Sequence, residues 1–259
     1  MARIIAVANQ KGGVGKTTTS VNLASALADM KNRTLLVDLD PQGNASVGCG
    51  VNSRSLEISA LEVMQGECDV VDARVTVEAL GFDVLPSNGD LTAAEVSLLQ
   101  IDDRETRLKD ALEKVAHQYA WIIIDCPPSL NMLTLNALTA ANSVLIPMQC
   151  EYYALEGLAS LVGTIEQVRN SVNPGLEIEG LLRTMFDSRN NLSLAVSDQL
   201  IEHFGERVYR TIIPRNVTVA EAPSHGLPVV RYDPGSRGAI AYLGLAGEML
   251  RRHRKRQAS

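Results

Sequence analysis

A glycine-rich loop between an apolar strand and a helix constrains the fold of this chain more than any other feature. The β-type run Arg3–Ala8 precedes the loop, and the helical segment Lys16–Met30 follows it with one apolar face. Glycines let successive backbone N–H groups converge on phosphate oxygens, and the helix N-terminus adds its dipole. The pattern predicts an α/β fold with a phosphate-binding loop made of Lys11, Gly12, Gly13, Val14, Gly15, Lys16, Thr17 and Thr18.

The two lysines of this loop have different expected roles. Lys16 stands where a lysine reaches the β- and γ-phosphates of a nucleotide, and the hydroxyl of Thr17 follows where it ligates Mg²⁺. The ordinary motif, G-x-x-x-x-G-K-[ST], would place a glycine at position 10, where this chain has Gln10. Lys11 is instead a second cation inside the loop. It supplies positive charge that one nucleotide site does not need for itself.

Short apolar runs alternate with helical segments along the rest of the chain. Strands that are apolar throughout predict a parallel sheet covered by helices on both faces. We therefore expect a mostly parallel, twisted β-sheet in a single domain, residues 1–259, which includes a basic C-terminal helix at about 239–256. The further strands are expected at Thr34–Val37, Phe82–Leu85, Trp121–Ile124, Val144–Ile146, Ile178–Leu182 and Val208–Ile213. The further helices are expected at Leu91–Gln100, Arg104–Gln118, Met132–Ala141, Leu155–Ser171, Leu192–Phe204 and Ala239–Arg254.

Carboxylates follow two of the expected strands. Residues 121–125, Trp-Ile-Ile-Ile-Asp, have the Walker B form, so Asp125 is a candidate to hold the hydration shell of Mg²⁺. Cys126 occupies the next position, where many faster ATPases carry a catalytic glutamate. A residue that orients the attacking water must then come from elsewhere, and Asp40 is the best candidate. Slow hydrolysis is expected.

Several segments resemble one family of proteins. The Lys-Gly-Gly-Val-Gly-Lys-Thr-Thr string resembles the deviant Walker A box of the ParA/MinD ATPases. The loop Asp-Leu-Asp-Pro-Gln-Gly-Asn at 38–44, the stretch Asp-Cys-Pro-Pro-Ser-Leu at 125–130 and residues 213–226 resemble ParA/Soj chromosome-partitioning ATPases. The resemblance runs from Ile4 to Leu250. It implies a P-loop NTPase fold and a catalytic set of Lys11, Lys16, Asp40 and Asp125.

The resemblance also implies cofactors and partners. ATP and Mg²⁺ would support a homodimer around two nucleotides, in which Lys11 of each subunit crosses to the nucleotide of the other. That dimer would bind double-stranded DNA without sequence preference, and slow hydrolysis stimulated by a ParB-type centromere-binding protein would release it. The expected location is cytoplasmic and nucleoid-associated.

Pro214 and Asn216 match the loop that holds adenine in this family. A proline supplies a flat apolar wall, and an asparagine amide can pair with the purine edge. Asn216 also stands where it can cap a helix that begins at Val217, and one side chain can do both.

Charge is divided unevenly along the chain. Residues 207–259 hold 10 of the 24 Lys and Arg residues but only three of the 30 Asp and Glu residues. A basic segment on an acidic body indicates either a surface for polyanions or a terminal helix with solvated arginines. Arg189 matches a DNA-contacting arginine of the family, whereas Thr218 stands where Soj-type relatives often have another. The candidate DNA contacts are Arg189, Arg215, Arg237, Arg251, Arg252 and Arg254, although Arg215 lies beside the adenine loop and is also a candidate nucleotide contact.

Other classes of protein share parts of this pattern. A MinD-like membrane ATPase that positions cell division needs bulky apolar residues in an amphipathic C-terminal helix, whereas after Leu250 only Ala258 is apolar. An iron–sulfur relative needs paired cysteines, and the four cysteines here stand far apart. A metabolic ligase of the same superfamily needs a substrate pocket that the sequence does not identify. We also expect no membrane association, no signal peptide and no N-terminal sequence-reading domain.

Overall fold

Eight strands form one sheet in the computed structural model, which describes residues 2–52, 56–98, 100–152 and 154–258. The strands are β1 (Arg3–Val7), β2 (Thr34–Asp38), β3 (Val75–Val77), β4 (Phe82–Leu85), β5 (Trp121–Asp125), β6 (Ser143–Gln149), β7 (Glu177–Phe186) and β8 (Val208–Pro214). They are hydrogen-bonded in the order β3-β4-β2-β5-β1-β6-β7-β8. The pairs are parallel except for β3 with β4. The predicted mostly parallel sheet is therefore confirmed.

Helices cover both faces of this sheet. They are α1 (Lys16–Asp29), α2 (Asn44–Gly48), α3 (Ala60–Gln65), α4 (Val70–Ala73), α5 (Leu91–Leu98), α6 (Arg107–Val115), α7 (Met132–Ala140), α8 (Ala154–Ser171), α9 (Asn191–Phe204), α10 (Val217–Glu221), α11 (Val229–Tyr232) and α12 (Arg237–Ala258). The basic C-terminal helix thus begins and ends two residues beyond the expected bounds. Residue 99, within the predicted helix Leu91–Gln100, lies outside the described residues. No described helix has both the length and the apolar character needed to cross a membrane.

The sheet separates two apolar cores, because successive residues of a strand point to opposite faces. In β1, Ile4 and Ala6 pack in the core that includes α6, α7 and α8. Ile5 and Val7 pack in the core that includes α1 and α12. All four side chains are buried. This double burial explains why the strands read as continuous apolar runs rather than as alternating ones.

The C-terminal helix α12 runs antiparallel to β8 and is tied to it by polar contacts. Glu248, in the middle of the helix, accepts hydrogen bonds from the backbone N–H groups of Arg210 (3.0 Å) and Thr211 (2.9 Å). One turn later, Arg252 donates to the carbonyl of Val208 at 2.9 Å. The start of α12 therefore lies at the carboxyl edge of the sheet, where the parallel strands end. Its basic end lies at the amino edge, where these strands begin.

Glu248→Gln is expected to destabilise the fold by about 2 kcal/mol at pH 7, because an amide replaces an ionised acceptor. Burial alone would raise the pKa of Glu248, but the N–H groups of Arg210 and Thr211 hold it below its ordinary value of 4.5. Because the pKa of Glu248 is lower in the folded state, its ionised carboxylate stabilises the fold fully above about pH 4.5. This contribution is lost as the pH falls through the folded-state pKa.

Urea unfolding of both proteins between about pH 7 and pH 3 measures this effect. The stability difference between the wild type and the variant is expected to shrink as the pH falls. Glu166→Gln, on the exposed face of α8, is the control and should change little. A difference that is independent of pH would contradict the assigned role of Glu248.

Candidate functional site

The glycine-rich loop joins β1 to α1 in a conformation that suits an anion. Gly13 (φ 73°) and Gly15 (φ 86°) have left-handed backbone angles, which favour glycine. The side chain of Gln149 donates to the carbonyl of Gly13 at 3.3 Å. Thr184 likewise donates to the carbonyl of Val14 at 2.8 Å. These bonds hold the carbonyl oxygens against β6 and β7, so the loop can present its N–H groups to a phosphate.

Lys16 is the first residue of α1 and is only 7% exposed. Burial lowers the pKa of Lys16, and the nearby charge of Asp125 opposes that shift. Its ammonium group donates to the carbonyl of Lys11 at 3.3 Å. A buried cation in such a place is stabilised by an anion, and the β- and γ-phosphates of a nucleotide supply that charge.

Asp125 ends β5 beneath the loop and is completely buried. Ser20, one turn into α1, donates to Asp125 Oδ1 at 2.7 Å, and the hydroxyl of Thr17 also bonds to this carboxylate. Oδ2 is buried and has no hydrogen-bond partner among the described residues. Burial, followed by the charge of Asp38, raises the pKa of Asp125. Oδ1 of Asp125 is thus fixed by a hydrogen bond, and Oδ2 is available to a ligand.

Two further carboxylates stand at the end of β2. Asp38 lies opposite Asp125 in the sheet and is completely buried. One oxygen of Asp38 accepts from the N–H and the hydroxyl of Ser46, each at 2.8 Å, and the other accepts from the N–H of Asp40 at 3.2 Å. Asp40 is partly exposed at the same edge, which is where the sequence places the residue that orients water.

This set of oxygen donors fits Mg²⁺. The hydroxyl of Thr17 and Oδ2 of Asp125 are hard donors beside an anion-binding loop, and proteins hold Mg²⁺ with one or two such groups together with substrate phosphates. Asp38, Asp40 and Asp125 also concentrate negative charge around Lys16. A divalent cation would relieve that repulsion.

Lys11 is an exposed residue at the start of the loop. Its Nζ lies 2.5 Å from Oε2 of Glu151, which follows β6. The two side chains are 43% and 50% exposed, so water screens the pair and a stronger anion can displace Glu151. Sequence reasoning missed Glu151, because no spacing rule links residues that stand 140 positions apart. It also missed Ser20, a small residue inside a helix, and Asp38, the first acid of its loop.

Pro214 and Asn216 lie at the carboxyl edge of the sheet, as the glycine-rich loop does. Pro214 ends β8, and Oδ1 of Asn216 caps α10 by accepting from the N–H of Val219 at 3.1 Å. The amide nitrogen of Asn216 has no hydrogen-bond partner in the part of the chain that the structure describes. The helix-cap role expected for Asn216 is therefore present, and its N–H donors remain for another acceptor.

The candidate DNA contacts fall into two groups. Arg189, Arg215 and Arg237 are exposed near the carboxyl edge of the sheet. Arg251 and Arg254 are exposed near the end of α12, at the amino edge. A helix rises 1.5 Å per residue, so Arg237 and Arg251 are about 21 Å apart along α12. The structure does not bring all of these arginines to one place.

Two of the candidate arginines have strong partners within the chain. Arg189 is 88% exposed, but its guanidinium donates twice to Asp187, at 2.9 and 2.8 Å, and holds the pKa of that carboxyl well below its usual range. Arg252 donates to Glu248 at 2.7 Å and lies 4.1 Å from the centre of the Tyr209 ring. We therefore assign Arg252 to the fold and leave it out of the proposed DNA surface.

Known proteins resemble this chain over nearly its whole length. A family model described as an AAA domain matches residues 2–178. The chromosome partitioning protein ParA of Caulobacter vibrioides is 52% identical over 258 residues, which are 99% of this chain and 97% of that protein. The sporulation initiation inhibitor protein Soj of Bacillus subtilis is 52% identical over 249 residues, which are 96% of this chain and 98% of that protein.

Solved structures share the fold described above. Cobyrinic acid a,c-diamide synthase from Mycobacterium smegmatis, with bound ADP and magnesium, has a TM-score of 0.86 at 40% identity, over 98% of this chain and 96% of that one. The cell division ATPase MinD from Pyrococcus furiosus has a TM-score of 0.80 at 27% identity, over 97% of this chain and 99% of that one. Both support the expected P-loop NTPase fold.

Ser20→Ala is expected to raise the Mg²⁺ concentration needed for half-maximal ATP binding about tenfold, because Asp125 loses the donor that orients it. Ser25→Ala on the same helix is the matched control. Ser25 is also fully buried, but its hydroxyl has no hydrogen-bond partner among the described residues. Titration of Mg²⁺ against a fluorescent ATP analogue measures the effect. An unchanged Mg²⁺ requirement in Ser20→Ala would contradict the role of Ser20.

Proposed function

Because the chain belongs to the ParA/Soj family of chromosome-partitioning ATPases, we propose that it is a DNA-segregation ATPase. In this proposal it binds ATP and Mg²⁺, dimerises around two nucleotides, and then binds double-stranded DNA without sequence preference. The observation that carries the proposal is Lys11, a second cation in the glycine-rich loop that is paired only weakly with Glu151.

Nucleotide binding is supported by the residues at the carboxyl edge of the sheet. Lys16 would neutralise the phosphates, and the N–H groups of the loop would bind their oxygens. Thr17 directly, and Asp125 through water, would hold Mg²⁺, which would supply further positive charge to the phosphates when bound. Pro214 and Asn216 would contact adenine, and Asn216 would use the amide nitrogen that its helix cap leaves unpaired.

Slow hydrolysis is supported by the residue that follows Asp125. Cys126 is completely buried, and burial strongly raises the pKa of its thiol, so this position supplies no base at neutral pH. Asp40 is a partly exposed carboxylate whose charge acts on both Asp125 and Cys126, and it would orient the attacking water. A ParB-type partner would accelerate this step and return the protein to a state that does not bind DNA.

Dimerisation would depend on Lys11. Two nucleotides that face each other in a dehydrated interface repel strongly unless cations lie between them. Lys11 can leave Glu151 at a cost of less than about 1 kcal/mol, because both side chains are half exposed. It would then contact the nucleotide of the partner subunit, whose phosphates carry more charge than one carboxylate.

The DNA surface would be assembled by the dimer. Each subunit offers a few exposed arginines on an acidic body, so one copy makes a small footprint, and two copies double the phosphate contacts. Arg215 and Arg237 near the carboxyl edge, and Arg251 and Arg254 at the end of α12, are the candidates without an ion pair among the described residues. Arg189 would have to exchange Asp187 for a phosphate. Nucleoid association would follow from such binding.

The alternative is a MinD-like ATPase that binds a membrane and positions cell division, since MinD shares the fold. The end of α12 favours DNA over a membrane, because Leu250 is its last bulky apolar residue and the exposed Arg251 and Arg254 follow it. A basic helix end without bulky apolar residues lacks the driving force for insertion. Sedimentation with liposomes separates the two functions, since only the MinD-like ATPase should sediment in an ATP-dependent way.

Lys11→Ala is expected to abolish ATP-dependent dimerisation and to leave ATP affinity nearly unchanged, because Lys16 remains. Glu151→Gln is the matched variant: it removes the partner of Lys11 but keeps the cation, so its dimer should form at least as well as that of the wild type. Light scattering with and without ATP measures dimerisation of both variants. A normal dimer of Lys11→Ala would show that Lys11 does not act in trans.

Charge reversal at the end of α12, Arg251→Glu with Arg254→Glu, is expected to weaken DNA binding at least tenfold at about 0.15 M salt, with dimerisation intact. Arg189→Ala tests the other group and should also weaken binding, because it leaves the charge of Asp187 unpaired. Lys114→Glu, on the exposed side of α6, is the control. Fluorescence anisotropy with short duplexes measures the affinities. Wild-type affinity in the first two variants would place the DNA surface elsewhere.

A further inference from the structure

A second concave site lies at the amino edge of the sheet, opposite the edge that carries the glycine-rich loop. This groove has a volume of about 770 Å³. The start of β1, the segment 174–178 before β7 and the last turns of α12 form its walls. Its polar lining includes Arg3, Arg169, Arg207, His253 and Arg256. None of these residues belongs to the proposed nucleotide or DNA sites.

The four arginines of the groove come from four separate elements. Arg3 begins β1, and Arg169 lies in the last turn of α8. Arg207 ends a 3₁₀ turn before β8, and Arg256 lies in the last turn of α12. A run of neighbouring arginines on one helix would simply be solvated. Here the fold brings together guanidinium groups from both ends of the chain.

A buried glutamate fixes two of these arginines. The side chain of Glu179, in β7, is 3% exposed and accepts from Arg3 at 3.2 Å and from Arg256 at 3.0 Å. Ser143 and Tyr209 donate to the same carboxylate at 2.9 and 3.2 Å. Both guanidinium groups are therefore held in place before any ligand arrives, which lowers the entropic cost of binding.

The groove keeps positive charge after these pairs are formed. Its four arginines face two glutamates, Glu177 and Glu179. Arg207 is exposed and has no ion pair with any residue that the structure describes. Nε of Arg3 is a buried donor that has no hydrogen-bond partner in the same set. Burial lowers the pKa of His253; the charges of Arg3 and Arg256 add to this shift, and the charge of Glu179 opposes it.

We propose that this groove binds a small ligand that carries phosphate groups. Guanidinium forks match phosphate oxygens two at a time, and several of them around one space suit a dianion better than a single carboxylate. The volume is within the range of about 300 to 1,000 Å³ that small-molecule sites occupy. The ligand would bind independently of ATP, since the two sites share no residue and lie at opposite edges of the sheet.

Inorganic pyrophosphate is the probe that tests this proposal, and the full chain with Lys16→Ala removes competition from the glycine-rich loop. Trp121 is the only tryptophan of the chain, and its ring lies edge-on to His253 with the centroids 5.3 Å apart. Saturable pyrophosphate binding is expected to change the fluorescence of Trp121 at about 0.15 M salt. By NMR, the bound anion is expected to raise the pKa of His253.

Arg207→Ala in this background is expected to weaken pyrophosphate binding about tenfold, because a charged hydrogen bond is lost. Arg254→Ala is the matched control, since Arg254 is exposed on α12 but does not line the groove. The affinity of this control for pyrophosphate should equal that of the Lys16→Ala protein. If the two variants lost affinity equally, the binding would be diffuse attraction to the basic end of α12, and the proposal would be wrong.

Three further results would overturn the proposal. The first is the absence of a saturable Trp121 or His253 response to pyrophosphate. The second is citrate binding as tightly as pyrophosphate, which would show no preference for phosphate. The third is a Trp121 response to a short DNA duplex but not to pyrophosphate, which would make the groove a nucleic-acid contact.

Discussion

Negative charge concentrated at the carboxyl edge of the sheet is the constraint on which the rest of the structure depends. Asp38 and Asp125 lie opposite each other on neighbouring strands, both completely buried, and Asp40 stands two residues further along. Such a cluster is stable only if donors and cations surround it. Ser20 and Ser46 supply the hydrogen bonds, and Lys16 supplies one cation. The remaining demand for positive charge makes this edge suited to Mg²⁺, while the N–H groups of the glycine-rich loop and Lys16 suit the phosphates that would accompany the metal.

The two edges of the sheet differ in charge, and α12 connects them. Its first turn packs at Gly238 against Asn216 of the proposed adenine loop, and its last turns place arginines at the amino edge. Some of these arginines hold the fold together: Arg252 bonds to Glu248, and Arg256 bonds to Glu179. The others are exposed. A basic tail that looks uniform in the sequence is therefore divided between internal ion pairs, a groove and a free surface.

The sequence was sufficient for the parallel sheet and the glycine-rich loop, because both depend on local patterns. Apolar runs mark the buried strands, and the loop needs glycines at fixed positions such as Gly13 and Gly15. The strand β3 escaped prediction because its three residues are not fully buried. Glu151 and Ser20 escaped because their roles come from contacts between distant segments. Arg252 shows the same limit in part: its pair with Glu248 follows from i,i+4 spacing on one helix, but only the fold shows that Tyr209 and the carbonyl of Val208 also hold its guanidinium.

The central claim is that ATP-dependent pairing of two subunits creates the DNA-binding surface. The measurement that tests it most directly is the affinity for duplex DNA of arbitrary sequence with no nucleotide, with ADP, with ATP and with a non-hydrolysable ATP analogue. Tight binding that weakens steeply with salt is expected only with ATP and with the non-hydrolysable analogue, and not with ADP or without nucleotide. Equal affinity in all four conditions would contradict the claim, because the basic residues of one subunit would then suffice.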